Sequence, residues 1–184
     1  MLFVRTRLFC AGIVVAGLFL SLPSWAESPV ERGRYLVTIT GCSDCHTPMK
    51  LGPNGPEPDL AHYLAGHPAG MAVTPAPVLP QGPWLWTGAA TNTAFSGPWG
   101  VSFAVNLTPD PETGLGKWRE EDFVGALTTG KHMGVARPIL PPMPWPGYAR
   151  MTPEDLKAMF AYLRTVKPVV NRVPEPVPPA VAGR

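Results

Sequence analysis

Gly41-Cys42-Ser43-Asp44-Cys45-His46-Thr47-Pro48 decides how the rest of the chain is read. Its core is C-x-x-C-H, and the spacing carries chemistry. Two thiols three positions apart can add to the two vinyl groups of one haem, and the residue that follows then lies beneath the iron. On this reading Cys42 and Cys45 are the covalent attachment points and His46 is the proximal iron ligand. Three plainer readings compete. A Cys42–Cys45 disulfide is geometrically awkward and leaves His46 without a role. A thioredoxin-like redox pair belongs after a strand in a βαβ pattern, and no strand–helix alternation precedes Cys42. A structural zinc site needs four ligands, and neither a second C-x-x-C nor an H-x-x-x-H supplies the rest.

Upstream, residues 1–26 read as a secretory signal peptide. Arg5 and Arg7 form a positive start, Leu8 to Leu20 is an uncharged apolar run, and Pro23-Ser24-Trp25-Ala26 suits cleavage after Ala26. The apolar run is shorter than the ~20 residues of a membrane span, so no stable span is expected after its removal. Cleavage also removes Cys10, leaving two cysteines, and cancels the formal charge of +2. An exported, periplasmic, neutral domain of residues 27–184 is expected. Its few charges exclude a nucleic-acid binder built on a basic stripe.

Helix signals lie on both sides of the motif. Ser28-Pro29-Val30-Glu31 combines a capping box with proline in the first turn, so a helix of about ten residues delivers Cys42. Thr152-Pro153-Glu154-Asp155 repeats the start signal, and Leu156, Met159, Phe160 and Leu163 then form one apolar face. Gly33 offers a side-chain-free spot where the two helices can cross. A shorter helix is expected from about Arg119 to Thr128, stopped by Gly130, and a weak one from Asp59 to Ala65. Everything else reads as loop. Residues 49–103 form a Gly/Pro/Trp-rich insertion whose Trp84, Trp86, Phe95, Trp99 and Phe103 give it apolar area to pack. Residues 168–184 form a polyproline-II-like tail, part of a chain with 25 prolines. The sequon Asn106-Leu107-Thr108 and the stretch Asp110 to Gly114 read as idle glycosylation and calcium motifs.

A haem held by His46 has a second axial position. The sulfur and imidazole candidates are Met49, Met71, Met133, Met143, Met151, Met159, His62, His67 and His132. Met49 is too near His46 in sequence, Met159 belongs to the apolar helix face, and Met151 suits a packing staple beside a helix cap. Met143 stands out in Leu140-Pro141-Pro142-Met143-Pro144-Trp145, where prolines restrict the backbone and can preposition a weakly binding thioether. His132 and Met133 are next in order.

The succession of helix, C-x-x-C-H, methionine loop and helix resembles a class I cytochrome c. It is most similar to the haem modules in cytochrome subunits of periplasmic alcohol and sugar dehydrogenases. The matching strings are Gly41 to Pro48, Asn106-Leu107-Thr108-Pro109-Asp110, Thr113 to Trp118, Phe123, Met143-Pro144, Glu154-Asp155-Leu156 and Ala161-Tyr162-Leu163. The resemblance implies an all-α class I fold and one covalent haem c on Cys42 and Cys45, with His46 and Met143 as axial ligands. It further implies a one-electron carrier rather than an enzyme. Its redox partners would be a dehydrogenase, a terminal oxidase or another cytochrome. The chain departs from those subunits in its long 49–103 segment and in having one haem motif where they usually carry three. A dedicated dehydrogenase subunit is the alternative within electron transfer. A haem-based ligand sensor or peroxidase with a displaceable sixth ligand is the alternative outside it.

Overall fold

The computed structural model describes residues 27–73, 75–77, 79 and 82–179; the signal-peptide reading of residues 1–26 lies outside them. The first helix, α1 (Pro29–Ile39), begins as its sequence dictates. Ser28 Oγ accepts the Glu31 amide while the Glu31 carboxylate accepts the Ser28 amide, so each side chain satisfies an otherwise orphaned donor. The last helix, α5 (Pro153–Leu163), is capped by Thr152 Oγ1, which accepts the Asp155 amide. Its Leu156, Met159, Phe160 and Leu163 are all buried, each contributing about 1.5–3 kcal/mol on full burial.

These two helices cross in contact at Gly33. A methyl group there would overlap the Ala158 carbonyl and sit 2.9 Å from Tyr162 Cβ. Arg32 and Asp155 close the rim of the crossing with an ion pair of 2.9 Å. Helix α3 (Glu120–Thr129) packs Phe123 against Phe160, ring centroids 5.4 Å apart. Arg119 has no side-chain oxygen for capping, so the Asp122 carboxylate does the work by accepting the Arg119 amide at 2.9 Å. Gly130 ends α3 in the left-handed region, at φ 68°. The weak helix expected at Asp59 to Ala65 is a single 3₁₀ turn, Leu60–His62.

The expectation of an all-α fold does not hold. Two antiparallel sheets stand in the 49–103 segment, whose composition predicts loop. One is the hairpin β1 (Met49–Gly52) and β2 (Gly55–Pro58); the other joins β3 (Thr87–Gly88), β4 (Ala94–Gly97) and β5 (Gly100–Phe103). Register pairs Gly52 with Gly55 and Gly97 with Gly100, so each hairpin turns through two residues. The turns are Gly52-Pro53-Asn54-Gly55 and Gly97-Pro98-Trp99-Gly100. Proline at the second turn position and glycine at the fourth are the ordinary β-turn preferences. The strands have only two to four residues and are laced with Gly and Pro, so no apolar alternation announces them.

The aromatic residues of the insertion do not all pack. Phe95 is buried under Trp86, centroids 5.6 Å apart, while Trp84 stays 73% exposed. The proline-rich tail is anchored at two places, residues 169–171 and Val177. Asn171 Nδ2 donates to the carbonyls of Ala65 (2.7 Å) and His67 (2.9 Å), and its Oδ1 accepts the Ala69 amide at 2.9 Å. Further on, Val177 exchanges two backbone hydrogen bonds with Val101, 2.8 and 2.9 Å, along the free edge of β5. The Asn106 side chain is buried and spent internally: Oδ1 accepts from the Thr108 amide and Nδ2 donates to Val169 O.

Candidate functional site

A short helix, α2 (Cys42–His46), carries the whole C-x-x-C-H motif and starts from Gly41 in the left-handed conformation, φ 71°. That turn is what glycine permits at low cost. It reverses the chain so that Cys42 enters the α1–α3–α5 core while α2 lies against the end of α1. Both cysteines are free thiols, Cys42 buried and Cys45 half-buried. Burial is the main cause that pushes each thiol above its usual value. They are therefore protonated at neutral pH, unlike the activated thiolate of a redox-exchange pair.

His46 is buried, and its Nδ1 lies 2.8 Å from the carbonyl oxygen of Val105. A carbonyl only accepts, so Nδ1 carries the proton and Nε2 keeps its lone pair. Burial lowers the imidazole pKa, a stronger influence than the Val105 contact that raises it. The ring is neutral in the physiological range, as ligation to a metal requires.

The position of Val105 depends on Gly66. The segment 64–67 runs beside 104–107, joined by His67 N to Ala104 O and Leu107 N to Leu64 O, both 2.9 Å. Gly66, at φ 76°, donates its amide to His46 O at 2.7 Å, and a Cβ there would come within 2.6 Å of the Val105 carbonyl carbon. Close backbone approach at a single glycine thus sets the orientation of the imidazole.

Met143 is half-buried and packs on the cluster that contains Cys42, Leu64, Leu127 and Phe160. Its loop is tied at both ends. Before it, Ser102 Oγ donates to Pro141 O at 2.6 Å. After it, the loop enters α4 (Trp145–Tyr148), a turn of helix the sequence reading missed, and Tyr148 Oη donates to Thr40 O at 2.9 Å. Tyr148 is pushed up to about 12, mainly by burial. That second bond lands two residues before Cys42, so the methionine loop and α2 share a support.

The other candidates are placed differently. His67 is fully buried with both nitrogens engaged, Nδ1 with Thr93 Oγ1 and Nε2 with Met71 O, each at 2.9 Å. His62 pairs with Asp59 at 2.6 Å on the surface. Met159 is a core residue, and Met71 and Met133 are exposed. His132 is half-buried with its ring edge-on to Trp118, centroids 4.9 Å apart. Met49 opens β1, and Met151 packs on the core beside Thr152.

A cavity of about 510 Å³ opens from the Val105 side of this arrangement, lined by Val105, Leu115, Trp118, His132, Arg137 and Arg172 among others. Among the described residues neither arginine is within 4 Å of a carboxylate. The donor chemistry fits a covalent haem: two uncharged thiols at the right spacing, an imidazole with its free nitrogen fixed, and a thioether packed on the same core. The residues present thus suit a haem-carrying protein, with an apolar cluster around Cys42 and Met143 and a more polar cavity beyond Val105.

Comparison with known proteins agrees. Residues 30–167 match the family model "Cytochrome c", and the chain belongs to the cytochrome c family: it is an electron-transfer protein whose family cofactor is covalently bound haem c. It is 41% identical over 149 residues to the gluconate 2-dehydrogenase cytochrome c subunit of Pantoea cypripedii, covering 79% of this chain and 25% of that protein. It is 32% identical over 149 residues to the fructose dehydrogenase cytochrome subunit of Gluconobacter japonicus (80% and 24%). It is 29% identical over 152 residues to the alcohol dehydrogenase (quinone) cytochrome c subunit of Gluconobacter oxydans (81% and 24%). The chain spans about a quarter of the length of these relatives.

Proposed function

We propose that this chain is an exported c-type cytochrome with one haem, which passes single electrons in a periplasmic chain. Cys42 and Cys45 form the two thioethers, and His46 and Met143 hold the iron. The observation that carries the reading is the buried His46 ring, locked through Nδ1 to Val105 O, on a five-residue helix with two free thiols. Bound haem supplies a reversible one-electron couple. The chain's own part is to position and shield it. α2 holds both sulfurs on a rigid turn, Val105 aims the imidazole, and the Met143 loop offers a thioether that raises the potential. The apolar cluster of Leu36, Leu64, Leu127 and Phe160, which holds Cys42 and packs Met143, would keep water from the group and so favour the less charged reduced state.

The partner is a dehydrogenase that delivers electrons one at a time. The relatives support this, since those reported above are named as cytochrome subunits of dehydrogenases. Among the described residues no helix is long and apolar enough to cross a membrane. The test is a redox titration of the haem-loaded protein together with Met143→Ala. The expected result is a one-electron curve, with the methionine–iron charge-transfer band of the ferric form present only in the parent protein. A parent protein lacking that band, with a ferric iron that binds small ligands freely, would support the sensor or peroxidase class instead.

A further inference from the structure

The insertion has a contact that packing of its own aromatic rings does not explain. Ser102 lies in β5, is 6% exposed, and has three polar neighbours. Its oxygen is 2.6 Å from Pro141 O, 3.4 Å from Phe95 O and 3.2 Å from Trp99 Nε1. A hydroxyl has one proton, and both carbonyls only accept. The shorter distance takes it, so Ser102 donates to Pro141 while its lone pair accepts the Trp99 indole N–H. β5 itself is fixed between β4 on one edge and Val177 of the tail on the other. A chain of contacts thus runs from the tail through β5 and Ser102 to the carbonyl two residues before Met143.

We propose that Ser102 is a positioning residue for Met143, and that the insertion and tail exist partly to hold that methionine on the iron. The inference rests on the axial-ligand reading above. Met143 needs external support because its own loop contains no regular structure before α4, and methionine is a flexible, weak ligand. Beyond the Ile139 amide bond to Gly130 O at its start, the loop has two ties, Pro141 to Ser102 and Tyr148 to Thr40. Only the first belongs to the insertion. Trp99 strengthens it by orienting the hydroxyl, which explains why a tryptophan is kept half-buried in a two-residue turn.

The test is imidazole binding to the ferric, haem-loaded protein. Imidazole competes with Met143, so its apparent affinity reports how readily the methionine leaves. Removing one hydrogen bond with Ser102→Ala is expected to lower the half-saturating imidazole concentration about fivefold. Ser102→Thr keeps the donor and stays within about twofold of the parent protein. If Ser102→Ala does not take up haem, Trp99→Phe serves, with an expected shift of about twofold in the same direction. An unchanged half-saturation in Ser102→Ala would overturn the proposal, as would a shift in Ser102→Thr as large as that in Ser102→Ala. A parent protein without the methionine–iron band would instead overturn the ligand reading on which the inference stands.

Discussion

Gly33→Ala tests the helix crossing on which the fold depends. The added methyl would lie 2.5 Å from the Ala158 carbonyl carbon and 2.9 Å from Tyr162 Cβ, where ordinary contact begins at 3.4 Å. The carbonyl oxygen is nearer still and, as α5 backbone, cannot rotate away, so α1 and α5 must separate by at least about 1 Å. A gap of that size forfeits roughly a quarter to a half of each dispersion contact across it. The face that loses contact carries Leu156, Met159, Phe160 and Leu163, whose burial contributes about 1.5–3 kcal/mol apiece. About 3 kcal/mol is lost on that basis. Alanine's better helix propensity returns up to about 1 kcal/mol, leaving a net destabilisation of about 2 kcal/mol. For a domain of this size that lowers Tm by about 4–8 °C, measured by far-UV circular dichroism on the haem-loaded protein. An unchanged or raised Tm would show that the close approach at Gly33 is not a structural constraint, and the account of the crossing would be wrong.

Asn171→Ala removes three hydrogen bonds that tie the tail to the 65–69 loop. It should cost about 2 kcal/mol locally and speed amide exchange at Ala69 and Val177, whereas unchanged protection at both would leave the tail without its anchor role. Asp110 is held below its ordinary value of 3.8, first by the Thr113 hydroxyl and then by the Thr113 and Glu112 amides. A lowered folded pKa gives stability that is full above the ordinary value and lost as pH falls through the lower one. Tm should therefore fall in acid below about pH 4, and Asp110→Asn should flatten that fall; parallel Tm profiles for the two proteins would remove Asp110 from the explanation.

Helices α1, α3 and α5 and the C-x-x-C-H motif were legible because their signals are local, whereas the single turn α4 was not. Ser28 with Glu31 and Thr152 with Asp155 cap within four residues of sequence, and the apolar face of α5 repeats at helical spacing. The sheets were not legible from apolar alternation, because β3 has two residues and β1, β2, β4 and β5 have four each. A better signal was present in the repeated Gly-Pro-x-Gly at 52–55 and 97–100, which specifies both hairpin turns. The proposed site residues that are adjacent in sequence are read from the motif alone. Partners distant in sequence were not: Val105 lies 59 residues from His46, and Pro141 lies 39 residues from Ser102. Val105 supplies only a backbone carbonyl, which leaves no mark on residue identity. The anchoring of the tail was not legible for a similar reason, since Asn171 is one polar residue among prolines and its partners are three backbone groups.

The most direct test of the central claim is the intact mass of the exported protein after denaturation, measured together with a thiol titration. Haem joined through Cys42 and Cys45 survives unfolding, so the expected result is the mass of the chain from Glu27 onward plus one haem, with no titratable thiol. A polypeptide mass without haem, accompanied by two reactive thiols, would contradict the claim.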